Sequence, residues 1–132
     1  MPVTYVCQGN VLKLELVGQY APDDVIATFM TALKDPQCPD PMALLVDVRR
    51  SETLASAAVA DIRRVAEYLG PYAKRIGGRA AMVASSDVHF GLSRLGSVYS
   101  EGVGVDVQVF RDLESAITWL TSEPDEPGFG KS

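Results

Sequence analysis

Two short clusters in this 132-residue chain bring charge, hydroxyl and imidazole close enough together to do chemistry. The first is Asp47-Val48-Arg49-Arg50-Ser51. Guanidinium forks match carboxylate and phosphate oxygens, so this group reads as an anion or partner site. The plainer reading is a strand-end Asp paired with an Arg, followed by a solvated loop. The second cluster is Ser85-Ser86-Asp87-Val88-His89. Hydroxyls at a helix start can hold an anion on free backbone N–H groups, with Arg49 or Arg79 adding charge. His89, the single histidine, is the side chain that titrates near neutral pH. The plainer reading is capping by Ser86 or Asp87, and an acidic first turn opposes an anionic ligand.

Catalysis asks for more. A Ser-His-Asp set can be written from Ser51 or Ser85, His89 and Asp47, but no Gly-x-Ser-x-Gly elbow exposes a nucleophile. One histidine among scattered carboxylates lacks metal-ligand spacing. Gly102-Val103-Gly104 precedes a strand, whereas a dinucleotide loop comes after one. The residues therefore predict no enzyme, metal or cofactor. Arg94 and Tyr99 on one predicted helix, with Arg63 and Arg64 on another, form either an interaction surface or a solvated face. Lys74, Arg75 and Arg79 around Gly77-Gly78 make a small basic patch.

The elements that must position these residues are set by periodicity. Ala43-Leu44-Leu45-Val46-Asp47-Val48 is apolar except for Asp47 and does not alternate, as in a strand buried on both faces at a sheet's centre. Open α/β sheets place their sites outside the carboxyl ends of such strands. Residues 3–7 and 11–17 predict two strands joined by a tight Gly9-Asn10 turn. In the second, Leu12, Leu14 and Leu16 alternate with Lys13 and Glu15, so one sheet face is wet there. Pro22 and Asp23-Asp24 open a first helix with Ile26, Phe29, Met30 and Leu33 on its apolar stripe. A Pro-rich connector comes next. Residues 57–69 predict a second helix and 85–99 a third, with strands over 80–84 and 105–110. Asp112 caps a last helix carrying Leu113, Ala116, Ile117 and Leu120, with Trp119 at the core or its rim. Residues 1–122 read as one domain and 123–132 as a flexible acidic tail. The order β-β-α-β-α-β-α-β-α predicts a five-stranded, mainly parallel α/β sheet with an antiparallel first strand.

Composition narrows the function. The formal net charge of −5 argues against nucleic acid, whose phosphates need a basic face. Cys7 and Cys38 read as two free thiols of a reducing compartment rather than as one bridge. No signal-peptide pattern opens the chain, and no apolar run nears the ~20 residues of a membrane span, so a cytoplasmic domain is expected.

The element order, Leu44-Leu45-Val46-Asp47-Val48-Arg49, Ala81-Met82-Val83-Ala84 and the run from Val109 to Leu120 together resemble the SpoIIAA-like superfamily. That superfamily holds the STAS domains of anti-sigma-factor antagonists and of sulfate-transporter tails. The resemblance is nearest to stand-alone bacterial STAS-like proteins of unassigned role. In the antagonist branch, an Asp-Ser-Ser-Gly turn carries a regulatory phosphoserine. Counted from Asp47, that turn falls on Ala55-Ser56-Ala57-Ala58, so the acceptor position is Ala57 and the Asp and Gly are missing. Ser56 is therefore read as an N-cap rather than a phospho-switch. The resemblance implies a non-enzymatic regulatory domain acting through a protein partner or as a homo-oligomer. The alternative is a small-anion binder whose site lies at the carboxyl ends of strands 3 and 4. Its candidates are Asp47, Arg49, Arg50, Ser51, Ser85, Ser86 and His89, with Arg94 as a further partner contact.

Overall fold

The structure, a computed structural model, describes residues 3–38, 42–51, 63, 64, 67, 68, 70–85, 87, 91, 94 and 104–121. Five strands, β1 (Val3–Gln8), β2 (Val11–Gly18), β3 (Ala43–Ser51), β4 (Arg79–Val83) and β5 (Asp106–Phe110), lie side by side in chain order. β1 is antiparallel to β2 and every later pair is parallel, as the sequence predicts. Two helices have described bounds: α1 (Pro22–Leu33) and α2 (Leu113–Thr121). The predicted helices over 57–69 and 85–99 fall mostly outside the described residues. Arg63, Arg64, Glu67 and Tyr68 in the first, and Asp87, Gly91 and Arg94 in the second, are helical. The tail at 123–132 lies outside the described residues.

Alternation in β2 sorts its side chains. Leu12, Leu14 and Leu16 join the larger core with Val25, Phe29 and Ala32 of α1, Leu44 and Val48 of β3, and Val107 of β5. On the opposite face, Leu45, Ala81 and Val83 pack against Ala116 and Leu120 of α2. A strand such as β3 with apolar residues toward both layers has no wet face, which explains its unbroken apolar run. The β1–β2 turn works because Gly9 adopts φ 57°, a left-handed conformation open to glycine at no steric cost.

Three expectations are corrected. The buried stripe of α1 is Val25, Phe29 and Ala32; of the expected Ile26, Phe29, Met30 and Leu33, Phe29 is buried and Leu33 packs against the larger core, while Ile26 and Met30 are half-buried. Ala32 has no side chain beyond Cβ, so the helix can seat closely on the sheet at that position. Next, β3 does not end at Val48 but runs to Ser51. The β2–β3 register slips by one residue between Glu15 and Val17, where β3 carries an extra residue. A bulge re-aims the side chains beyond it: Arg49 and Arg50 are exposed, while Ser51 turns inward at 4% exposure.

The third correction concerns the cysteines. Cys7 and Cys38 are not free thiols but form a disulfide, with Cα atoms 5.6 Å apart. The antiparallel first strand puts Cys7 against the α1 layer, and the connector after α1 passes over it. Composition alone could not place residues separated by 31 positions within bonding reach. The connector is also pinned from outside: Arg75 Nη2 donates to the carbonyls of Leu33 at 3.4 Å and Cys38 at 3.3 Å. A cation at the end of α1 meets the negative pole of its dipole.

Candidate functional site

Asp47 is charged and 2% exposed, which is costly unless the charge is paired. Arg49, two residues along the same strand, does the pairing. Its Nε donates to Asp47 Oδ1 at 3.0 Å and its Nη2 to Oδ2 at 2.8 Å, while its backbone N–H also reaches Oδ1 at 3.0 Å. Burial pushes the Asp47 carboxyl up. The Arg49 bonds and the charges of Arg49 and Lys13 outweigh burial and hold it below the usual carboxylate range. The Asp47 bond, with the charges of Asp47, Glu15 and Asp112, raises Arg49 above the usual guanidinium value. The guanidinium therefore sits in the field of three carboxylates, a setting that disfavours a further anion.

The neighbouring candidates are spread rather than gathered. Arg50 is exposed. The Ser51 hydroxyl is 2.6 Å from Tyr20 Oη, and burial raises the Tyr20 phenol despite that bond. Asp47 lies opposite Val83 in the β3–β4 register, so the two sequence clusters do sit at adjacent strand ends. At the second, Arg111 Nη1 donates to the Ser85 carbonyl at 3.0 Å and pairs with Asp87 at 2.9 Å. Ser85 and Arg94 are exposed. Ser56, Ser86 and His89 lie outside the described residues. Among the described residues, no group of three or more His, Cys, Asp and Glu could hold a metal ion.

The two arginines of the basic patch have structural roles, while Lys74 is exposed. Arg75 caps the end of α1 through the Leu33 carbonyl. Arg79 lies 4.3 Å over the Trp119 ring and donates to the Trp119 carbonyl, fastening β4 to α2. Trp119 also packs against Phe110, ring centroids 5.8 Å apart, in the smaller core. Asp112 caps α2 by accepting the Ser115 N–H at 2.8 Å, as the sequence predicts.

The wet sheet face expected at Lys13 and Glu15 of β2 extends onto β1, whose residues the sequence reading does not single out. Helix α2 rests over β3, β4 and β5, and on that same sheet face the β1–β2 half carries Val6 at 53% exposure. Val6 pairs with Lys13 and Thr4 with Glu15 in the β1–β2 register. Thr4, Val6 and Gln8 form an exposed row along a strand at the sheet's edge. The six residues of β1 contain neither charge nor proline, the usual means of blunting an edge. The alternation of β1 is the available signal, since Val3, Tyr5 and Cys7 already mark its inner face.

No described helix is long and apolar enough to cross a membrane. No protein-family model matches the chain, and no curated protein does. A solved structure is similar along most of both chains: an uncharacterised DUF3478-family protein with a SpoIIAA-like fold from Shewanella loihica PV-4. It shares 17% identity and a TM-score of 0.55, over 89% of this chain and 91% of that one. This chain therefore has the SpoIIAA-like α/β fold that its element order and strand motifs resemble.

Proposed function

We infer that this protein is a non-enzymatic interaction domain that receives a protein partner along β1 and the open half of the adjoining sheet face. The observation that carries this reading is Val6, more than half exposed in the middle of an uncharged edge strand. An edge strand offers a row of backbone donors and acceptors that an extended segment can pair with. The fitting partner is a strand with an apolar side chain at the position beside Val6, neutral where it meets Thr4 and Gln8. A second copy of this chain meets that description, and so does a segment of another protein. Regulation of the antagonist type would then run through strand contact rather than a phosphoserine turn. The small-anion alternative has less support, because Arg49 is committed to Asp47 and surrounded by carboxylates.

Native mass spectrometry of wild type and Val6→Lys, alone and mixed with extract of the source cells, tests this. Lysine beside Val6's neighbours blocks an edge without touching the core. A doubled mass or protein adduct lost in Val6→Lys supports the reading. An adduct that survives the substitution defeats it. An adduct of small-molecule mass that is lost in Arg50→Ala moves the conclusion to the anion site.

A further inference from the structure

The Cys7–Cys38 bridge ties the edge strand of the sheet to the connector that leads into its central strand. The two cysteines differ in access. Cys7 is half-buried on β1, whereas Cys38 is 5% exposed. The connector has contacts of its own on both sides of the bridge. Asp35 Oδ1 accepts the Gln37 N–H at 2.9 Å, and the Cys38 N–H donates to the Asp35 carbonyl at 3.0 Å. Arg75 holds the Cys38 carbonyl at 3.3 Å. The turn is thus shaped by bonds that survive opening of the bridge. Tyr5 Oη, donating to Asp35 Oδ2 at 2.8 Å, is then the polar tie left between β1 and the connector among the described residues. A domain of this size also buries enough surface to fold without a covalent staple.

We propose that Cys7–Cys38 is a thiol–disulfide exchange site, entered at Cys7, that sets how firmly β1 is held to the rest of the fold. The reactant is a low-molecular-mass monothiol. Its thiolate bonds to Cys7 Sγ, the S–S bond breaks, and the electron pair leaves on Cys38 Sγ, which takes a proton from solvent. A second thiolate attacks the outer sulfur of the mixed disulfide and releases Cys7, which is also protonated. The protein disulfide gains two electrons and two protons, and two external thiols become one external disulfide. Entry at Cys7 is a matter of access, since exchange depends on which sulfur the thiolate can reach. The consequence is local. β1 pairs with β2 alone, so an edge strand released from its connector opens at lower free energy than the central strands. This proposal stands on the bridge and its surroundings and does not depend on the identity of any partner.

Hydrogen exchange read by mass spectrometry, on the full chain with and without excess glutathione, tests it alongside thiol counting by alkylation. Reduction should raise the thiols alkylated after unfolding from none to two. Exchange at the amides of residues 3–8 and 35–38 should then accelerate about tenfold or more beyond that at β3 and β4, whose protection falls only with the stability of the whole domain. Treated with glutathione disulfide, Cys38→Ser should form the mixed disulfide on Cys7, and Cys7→Ser should stay unmodified on Cys38. Unchanged exchange in the reduced protein overturns the proposal, as does a bridge that glutathione leaves closed. Unfolding of the whole sheet on reduction overturns it too, because the bridge is then a staple of the entire domain. If the serine variants fold poorly, reduced and alkylated wild type supplies the same exchange comparison.

Discussion

Arg49 grips Asp47 through both ends of its guanidinium, at 3.0 and 2.8 Å, from two residues further along the same strand. The acid is buried and the base is about a third exposed, 3% against 36% by side chain. Such a pair adds little by itself, but removing one partner strands a buried charge.

Arg49→Ala should therefore destabilise the fold at pH 7 by about 2 kcal/mol, less than a fully buried pair because water screens the exposed guanidinium. In wild type the Asp47 carboxyl lies below its ordinary 3.8. Its contribution is thus present above that value and is lost as pH falls through the folded pKa. In the variant, burial acts unopposed by Arg49 and the folded carboxyl rises, so protonation relieves the strain. The difference between the two proteins should shrink toward acid. Denaturant midpoints across a pH series check this, and a difference that grows toward acid contradicts it.

Tyr20 and Ser51 share a 2.6 Å hydrogen bond at the ends of β2 and β3. Tyr20→Phe and Ser51→Ala should each cost about 1 kcal/mol. The double variant should cost less than the sum, since both single changes remove the same bond. Urea unfolding of the four proteins gives the coupling directly, and strict additivity rules out a contribution from this pair.

Arg79 stacks on Trp119, the single tryptophan, and bonds to its carbonyl. Arg79→Lys keeps the charge and loses the planar fork. We expect a loss of about 1 kcal/mol, with a changed Trp119 emission spectrum in the folded state. An unaltered spectrum argues that the stack does not persist in solution.

The double variant Cys7→Ser/Cys38→Ser opens a loop closed across 31 positions. Loop entropy puts the loss at about 3–4 kcal/mol. A domain of ordinary stability, about 5–15 kcal/mol, remains folded after that. A lower urea midpoint with a steeper slope is the expected result, because the chain without its cross-link exposes more surface when unfolded. An unchanged slope argues against a loss that acts through the unfolded chain.

Much of the fold is legible in the sequence. The leucines of β2, the apolar run of β3, the Gly9-Asn10 turn and the Asp112 cap each declare themselves within a few residues. Local conformational preference and period-two burial act over that range. The candidate site is legible in part. Asp47 next to Arg49 invites a pairing as well as an anion, and only the strand's continuation past Val48 shows the two side by side on β3. Ser51 reads as a loop hydroxyl because the sequence carries no mark of a one-residue register slip.

The sequence by itself determined the number of strands and their order along the chain, the sense of β1, and which residues of β2 and β5 face a core. These arise from alternation, turn chemistry and connection length, all of them short-range properties. Tertiary structure alone decided that Cys7 meets Cys38, that Ser51 meets Tyr20, that Arg79 covers Trp119, and that Val6 is left uncovered. Each depends on which distant segments are packed together, and that choice belongs to the whole core rather than to any one stretch of chain.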